Sequence, residues 1–455
     1  MNFKKKLLKN SKNILPMHMP GHKRKAIFSG LSDLGFAYDF TETDYLDDLH
    51  NPENLILEEE QKVANLYKTE RAIFGVNGST GFILSVIYSL GKKHKNFMAL
   101  DNCHYSVYNA MRISNLNVFL FSKFKDKTNG LSSGLDYEDL ERQIVKNKIE
   151  VFIFSYPDYE GDTLDIEKII EICKKNKVLT VVDEAHGAHF IYDGGFPKNA
   201  IKYGADFVIM SLHKTLPALT QTALLLSSKN LIKDYEIEEN IKIFETSSPS
   251  FVLISSICEC VDILIKDGKK LMQNLSENLD KFYRKAEKLK HLQIVNKENR
   301  DKSKIVILTD RANISGYELK KILLKKYNIE LECAGARYVL AYTTLADEKK
   351  DFEKLKNAIF EIDKTLEFAN KEDLIFPVRK AEKLEVSQNS KTKIIDLDLA
   401  IGEISAKDLY AYPPATPIIF GGEKIKKNQI ELLNQLMVEG MNIYGLSENG
   451  IVVKS

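Results

Sequence analysis

Between about Leu66 and Leu226, short apolar runs alternate with amphipathic stretches, and this alternation leaves few architectures open. The runs cover residues 72–76, 97–100, 118–121, 151–154, 179–182, 207–210 and 223–226. Each is nearly continuous in apolar residues, the pattern of a strand buried on both faces. Helical patterns fall between them, for instance at 105–114, 137–146 and 166–175. Such strands, separated by helices, predict an α/β fold with a mostly parallel sheet covered on both sides. Sheets of this kind bind ligands beyond the carboxyl ends of their strands. The residues just after each run are therefore the ones to read for chemistry.

At 455 residues the chain exceeds one ordinary domain. A long helical pattern covers 251–291, and 305–308, 317–327, 338–342 and 348–369 suggest a second, smaller α/β unit. Residues 380–393 are polar and read as a linker. The last part opens with Asp396-Leu397-Asp398-Leu399, read as a strand, and contains Tyr412-Pro413-Pro414. The expected division is an N-terminal arm (1–60), a large domain (61–255), a small α/β domain (256–375), a linker (376–393) and a C-terminal domain (394–455). The 65 basic and 64 acidic side chains leave a net charge of +1, with no general electrostatic attraction to nucleic acid. No stretch approaches a membrane-spanning length, and the basic N-terminus lacks the apolar core of a secretory signal. It reads as a short surface helix, and cytoplasm is the expected location. Five scattered cysteines argue against a disulfide framework. Cys258 and Cys260 lack a second Cys/His pair nearby, so no metal is expected and both read as buried thiols.

Four groups stand at or near predicted strand ends. Asp183 closes the run at 179–182, followed by Glu184-Ala185-His186-Gly187. A carboxylate there suits a protonated pyridine nitrogen, a small Ala185 can lie against a flat ring, and His186 can reach a phenolic oxygen. An aspartate at a strand end equally serves to cap a following helix. Ser211-Leu212-His213-Lys214-Thr215 follows the run at 207–210. A lysine in a low-polarity pocket is partly neutral and can join an aldehyde, while Ser211 and His213 can hold a phosphate. Most lysines of this chain are surface groups, and Lys214 is singled out by its motif and by the aspartate about thirty residues upstream. Asn77-Gly78-Ser79-Thr80-Gly81 opens a helix after the run at 72–76, a composition that suits either an anion or an ordinary capped helix start. His104 follows the run at 97–100 and is a candidate to stack on the ring, although a lone histidine is more often structural. Together these groups describe pyridoxal 5′-phosphate (PLP).

With those residues assembled, the chain resembles the ornithine/lysine/arginine decarboxylases, fold-type I PLP enzymes. It is most similar to the shorter Gram-positive members, which lack an N-terminal receiver-like domain. The resemblance runs nearly end to end. It starts at Met17-His18-Met19-Pro20-Gly21-His22-Lys23-Arg24 and continues through Thr41-Glu42 and Leu46-Asp47-Asp48-Leu49-His50. The Asn77, His104, Asp183 and Lys214 motifs follow, then Glu245-Thr246-Ser247-Ser248-Pro249-Ser250 and residues 402–423. The resemblance implies an aspartate aminotransferase-like large domain and a homodimer with shared active sites. It implies Lys214 as the Schiff-base lysine, Asp183 as the pyridinium partner and His104 as the stacking residue. Ser79, Thr80, Ser211 and His213 would surround the phosphate, Ala185 and His186 would lie along the ring, and Ser248 would reach the neighbouring subunit's phosphate. The chain departs from the family pattern at Asp101 and Tyr105, where an arginine and a lysine are usual, and at Phe251 for a tyrosine. Ala415 and Gly421 stand for a glycine and a proline.

The expected activity is decarboxylation of a basic amino acid, arginine, lysine or ornithine, with Lys214 or His104 returning a proton to Cα. Glu42, Asp44, Asp47 and Asp48 form an acidic cluster that can meet the distal basic group or simply be solvated and capping carboxylates. An aminotransferase or lyase would use the same sheet and lysine, and a silent homologue could keep the scaffold as a binding or regulatory subunit.

Overall fold

The computed structural model describes all residues except 1, 26, 28, 29, 31, 32, 44, 193, 386–390, 412–416, 448, 449 and 455. Its contacts group into two compact units interleaved in sequence: residues 1–93, 180–193 and 198–273, and residues 94–179, 194–197 and 274–455.

All seven apolar runs form strands, each bounded within one residue of its predicted limits. In the first unit Arg71–Gly75 pairs antiparallel with Ala223–Ser227, which pairs antiparallel with Phe207–Ser211. Phe207–Ser211 in turn runs parallel to Leu179–Asp183, with Asp183 opposite Ile209. Every residue of Phe207–Ser211 and Ala223–Ser227 is buried, which is why these strands show no polar alternation. In the second unit Val151–Ser155, Asn96–Leu100 and Asn117–Phe121 are parallel. The sheet is thus mixed where its strands meet the Ala223–Ser227 strand. The connection from Ser211 to Ala223 is too short for the crossover that a parallel partner requires.

Three expectations are corrected. Lys380–Lys383, placed in the polar linker, is an edge strand antiparallel to Asn117–Phe121. Its outward side chains are charged, as edge strands commonly are, and only the inward Ala381 and Leu384 are buried. The Asp-Leu-Asp-Leu segment is a 3₁₀ turn, Leu397–Ala400, and the strand Thr392–Ile395 precedes it. Short aspartates at alternate positions favour turns over a ladder. The N-terminal helix Phe3–Asn10 is not purely a surface element, because Phe3 and Leu7 are buried.

The helical stretch after Ser250 also divides. Phe251–Ile263 passes through a π turn, Leu264–Gly268, into Lys269–Ala286. The Tyr192 hydroxyl donates to the Leu264 carbonyl. A Cβ on Gly268 would stand 2.7 Å from that hydroxyl, so only glycine admits the tyrosine to the helix surface. Gly268→Ala should therefore lower the unfolding free energy by about 1–3 kcal/mol in urea titration. In a Tyr192→Ala background the same change should be neutral or stabilising, by up to about 1 kcal/mol, because alanine is the better helix former. Equal destabilisation in both backgrounds would show that Tyr192 is not the cause.

Candidate active site

In the first unit the strand Phe207–Ser211 turns directly into a one-turn helix, Leu212–Thr215. The Leu212 N–H donates to the Thr222 carbonyl at 3.0 Å, which fixes the turn against the next strand. Lys214 follows, partly buried, with its Nζ 3.1 Å from His186 Nε2. His186 comes from the neighbouring strand's end, three residues after Asp183.

Asp183 is 5% exposed and accepts from the Ala185 N–H at 3.1 Å. No helix follows for it to cap, since residues 184–192 form turns. Among the described residues it forms no ion pair with a basic side chain. Ala185 is buried, and the Glu184 N–H donates to the Ile209 carbonyl at 2.8 Å, so the Asp183 and Lys214 strands stay tied beyond their ladder. Glu184 is fully buried, and burial pushes its carboxyl well above the usual range. It accepts from Asn199 Nδ2 and the Ala200 N–H, so it builds the turn and faces no solvent.

Ser79 and Ser211 are both buried, and their hydroxyls lie 3.0 Å apart. Ser79 stands in the first turn of Gly78–Gly91, and Thr80 follows it, half-buried. Asn77 makes no capping bond; its amide donates instead to the Phe244 carbonyl. Gly78 has φ +70°, a conformation that favours glycine, and its N–H donates to the Gln221 carbonyl. The capped-start reading therefore fails for this helix. An N-terminus without a side-chain cap, flanked by two buried hydroxyls, suits a phosphate.

His213 Nδ1 lies 3.2 Å from the Thr222 carbonyl, an acceptor only, so Nδ1 carries the proton. Burial holds its pKa below the ordinary value, and the Lys214 charge adds to the lowering. The role of Thr222 had no signature in the sequence, because the backbone carbonyl does the work. Ser248 is exposed, and no hydrogen bond links it to these groups among the described residues.

His104 belongs to the second unit. It caps the helix Tyr105–Ile113, its Nδ1 accepting from the Ser106 N–H and lying 2.8 Å from Ser106 Oγ. With Nδ1 accepting, the neutral ring carries its proton at Nε2. The Tyr105 ring lies at 4.4 Å, tilted by 45°. In the acidic cluster Asp47 accepts four backbone N–H groups, from Asp48, Glu53, Asn54 and Ile56, and so builds the entry to helix Leu55–Tyr67. Asp48 accepts from the His50 N–H, and Glu42 accepts from Thr41 Oγ1. Asp44 lies outside the described residues.

The donor set thus offers an amine, a buried carboxylate and a hydroxyl-lined helix N-terminus in one unit, which is what PLP requires. Residues 4–321 match the family described as Orn/Lys/Arg decarboxylase, major domain. The chain belongs to the Orn/Lys/Arg decarboxylase family. Similar curated proteins include YaaO of Bacillus subtilis (strain 168), 29% identical over 95% of this chain and 93% of that one. The arginine decarboxylase of Bacillus anthracis is 25% identical over 96% of this chain and 93% of that one. Among solved structures, the Francisella novicida lysine decarboxylase LdcF superposes with a TM-score of 0.81 at 17% identity, covering 100% of this chain and 81% of that one. The E. coli constitutive lysine decarboxylase gives 0.77 at 15% identity, covering 100% and 82%. At such identity these structures speak for the fold, which is fold-type I with additional smaller domains. Among the described residues no helix is long and apolar enough to cross a membrane. This decarboxylase-family chain uses PLP, and the residues above fit it.

A phosphate dianion beside His213 would favour its protonated form, whereas the free protein disfavours it. Binding then takes up a proton, so affinity falls as pH rises through the window between the two values. PLP titrations followed by absorbance should show association weakening by at most about tenfold per pH unit there. His213→Gln should flatten that part of the profile. A slope unchanged in the variant would remove His213 from the phosphate site.

Proposed function

We propose that Lys214 carries the PLP, that Asp183 pairs with its ring nitrogen, and that the chain decarboxylates a basic amino acid. The observation that carries this reading is the placement of Lys214 Nζ 3.1 Å from His186 Nε2, on strands whose register sets Asp183 beside the same strand end. When bound, PLP supplies an electron sink for the pair left behind as the substrate carboxylate departs as CO2. The chain's own residues do the rest. Ser79, Thr80, Ser211 and His213 hold the phosphate, and Ala185 leaves room for the ring. Asp183 is buried and forms no ion pair with a basic side chain among the described residues, so its carboxylate is available to a cationic ring nitrogen. Lys214 shares a hydrogen bond with His186, which gives its amine a partner for exchanging a proton. His104, the stacking residue that the family resemblance implies, carries a proton at Nε2, so it and Lys214 are the two candidates to protonate Cα.

The proposed substrate is a basic amino acid; the Bacillus anthracis relative is an arginine decarboxylase and the two structural neighbours are lysine decarboxylases. Asp47 is engaged by four backbone donors, whereas Glu42 Oε1 is buried without a hydrogen-bond partner among the described residues, which favours Glu42 over Asp47 for the distal basic group. We also propose a cytoplasmic homodimer with shared active sites and the five-part division given above. Exposed apolar side chains in the N-terminal arm support a partner: Met17 is 82%, Ile27 81% and Leu34 73% exposed. The exposed Ser248 would then serve the neighbouring subunit.

Incubating the holoenzyme with arginine, lysine and ornithine in turn should release CO2 and the matching amine from at least one. A keto acid instead of an amine would mark an aminotransferase. Lys214→Ala should lose turnover by at least about 10³-fold and abolish the absorbance of covalently bound PLP. A fully active alanine variant would end the assignment of Lys214.

A further inference from the structure

Three holds converge on the short segment that carries His104, and all come from one stretch of the second unit. Ahead of His104, Asp101 closes the strand Asn96–Leu100 and is 6% exposed. Its Oδ2 accepts from Arg379 Nη1 at 2.8 Å and from the Ser122 hydroxyl. Arg379, 2% exposed, also donates from Nε and Nη2 to the two oxygens of Glu423, at 2.7 and 3.0 Å. Its Nη2 reaches the Ile418 carbonyl at 2.6 Å as well. Just after His104, the Tyr108 hydroxyl donates to the Leu100 carbonyl and accepts from the Cys103 N–H. The Tyr108 ring meets Phe420 edge-on at 4.8 Å. At the end of the same helix, Arg112 pairs bidentately with Asp408 at 2.8 and 2.5 Å, and Asp408 also accepts from the Gly421 N–H at 2.7 Å. The ladder pair Leu409↔Ile419 sets Asp408 beside Phe420 and Gly421, so residues 408–423 supply two of the grips directly and, through Glu423 and the Ile418 carbonyl, hold the Arg379 that makes the other.

A buried arginine with two carboxylates is a poor means of stabilising a fold, because desolvation offsets most of the attraction. Its use is directional: a fully bonded guanidinium fixes its partners in one geometry. The geometry fixed here belongs to the residues on either side of His104.

We propose that Arg379, Asp408 and residues 417–423 form a positioning clamp that sets the orientation of His104 for the reaction, through Asp101, Tyr108 and Arg112. This rests on the role given to His104 above. Arg112 and Asp408 are partly exposed, so Arg112→Gln can be made with the fold retained. The experiment is a double-mutant cycle in the holoenzyme between Arg112→Gln and His104→Ala, reading kcat for the amino acid found to be turned over, with thermal unfolding recorded for each protein.

With His104 present, Arg112→Gln should lower kcat by about tenfold to a hundredfold, the scale of a misplaced catalytic group. With His104→Ala, the same change should cost less than about twofold, because there is no imidazole left to orient. Arg112→Lys should recover part of the loss. Arg112→Gln should add nothing to whatever change in PLP affinity His104→Ala brings, since Arg112 touches none of the phosphate-holding residues. Equal losses in both backgrounds, or no loss in either, would overturn the clamp and leave His104's role standing. A fully active His104→Ala would overturn the role of His104 and the clamp with it, and is visible before Arg112 is touched.

Discussion

Two parallel strands, held in the register that sets Asp183 opposite Ile209, determine where chemistry can occur in the first unit. Parallel strands deliver their carboxyl ends to the same edge, so Asp183 and Ser211 finish within two residues of each other's level. The chain after Ser211 makes a single helical turn, which brings Lys214 back toward the residues that follow Asp183. The contact with His186 is the result. A shift of one residue in this register would turn Asp183 to the opposite face of the sheet and separate the carboxylate from the amine. Burial of every residue in the Lys214 strand makes that shift costly, so the same apolar side chains that build the core also fix the site.

Buried charge is treated in two ways. In the first unit, Asp183 sits next to an amine-bearing turn but forms no ion pair with a basic side chain among the described residues, an arrangement that makes sense if a cationic ligand completes it. Glu184, the next residue, accepts from Asn199 and Ala200, and burial pushes its carboxyl well above the usual range. In the second unit two buried cations are each met by a pair of carboxylates. Arg379 is satisfied by Asp101 and Glu423, and Lys123 by Asp158 and Asp162. The first unit also ties segments together with charge, where Arg71 meets the buried Glu60, so Asp183 is set apart within its own unit by lacking such a cation among the described residues.

Much of this was legible in the sequence because burial writes itself into composition. Strands covered on both faces must be apolar throughout, and seven of them could be read within a residue of their limits. Lys214 and Asp183 stood out because polar residues at the ends of such runs are conspicuous. The edge strand Lys380–Lys383 was lost for the opposite reason, since an edge is charged by design and resembles a linker. The mostly parallel sheet was read from the same runs, but which strands run antiparallel was not, because strand direction depends on the length of connections. The clamp was beyond reading altogether. Arg379 and Asp101 are 278 residues apart, and no local pattern pairs them.

The departures from the family pattern gain a physical meaning from this second unit. Asp101 stands where an arginine is usual, and here it is the anion that receives Arg379. Gly421 stands where a proline is usual, and its N–H, which a proline lacks, donates to Asp408. Arg112 uses the same carboxylate. Two changes more than 300 residues apart in sequence thus feed one set of contacts around the segment that carries His104. Substitutions scattered through a sequence can be joined in space, and their combined effect falls on the orientation of one imidazole.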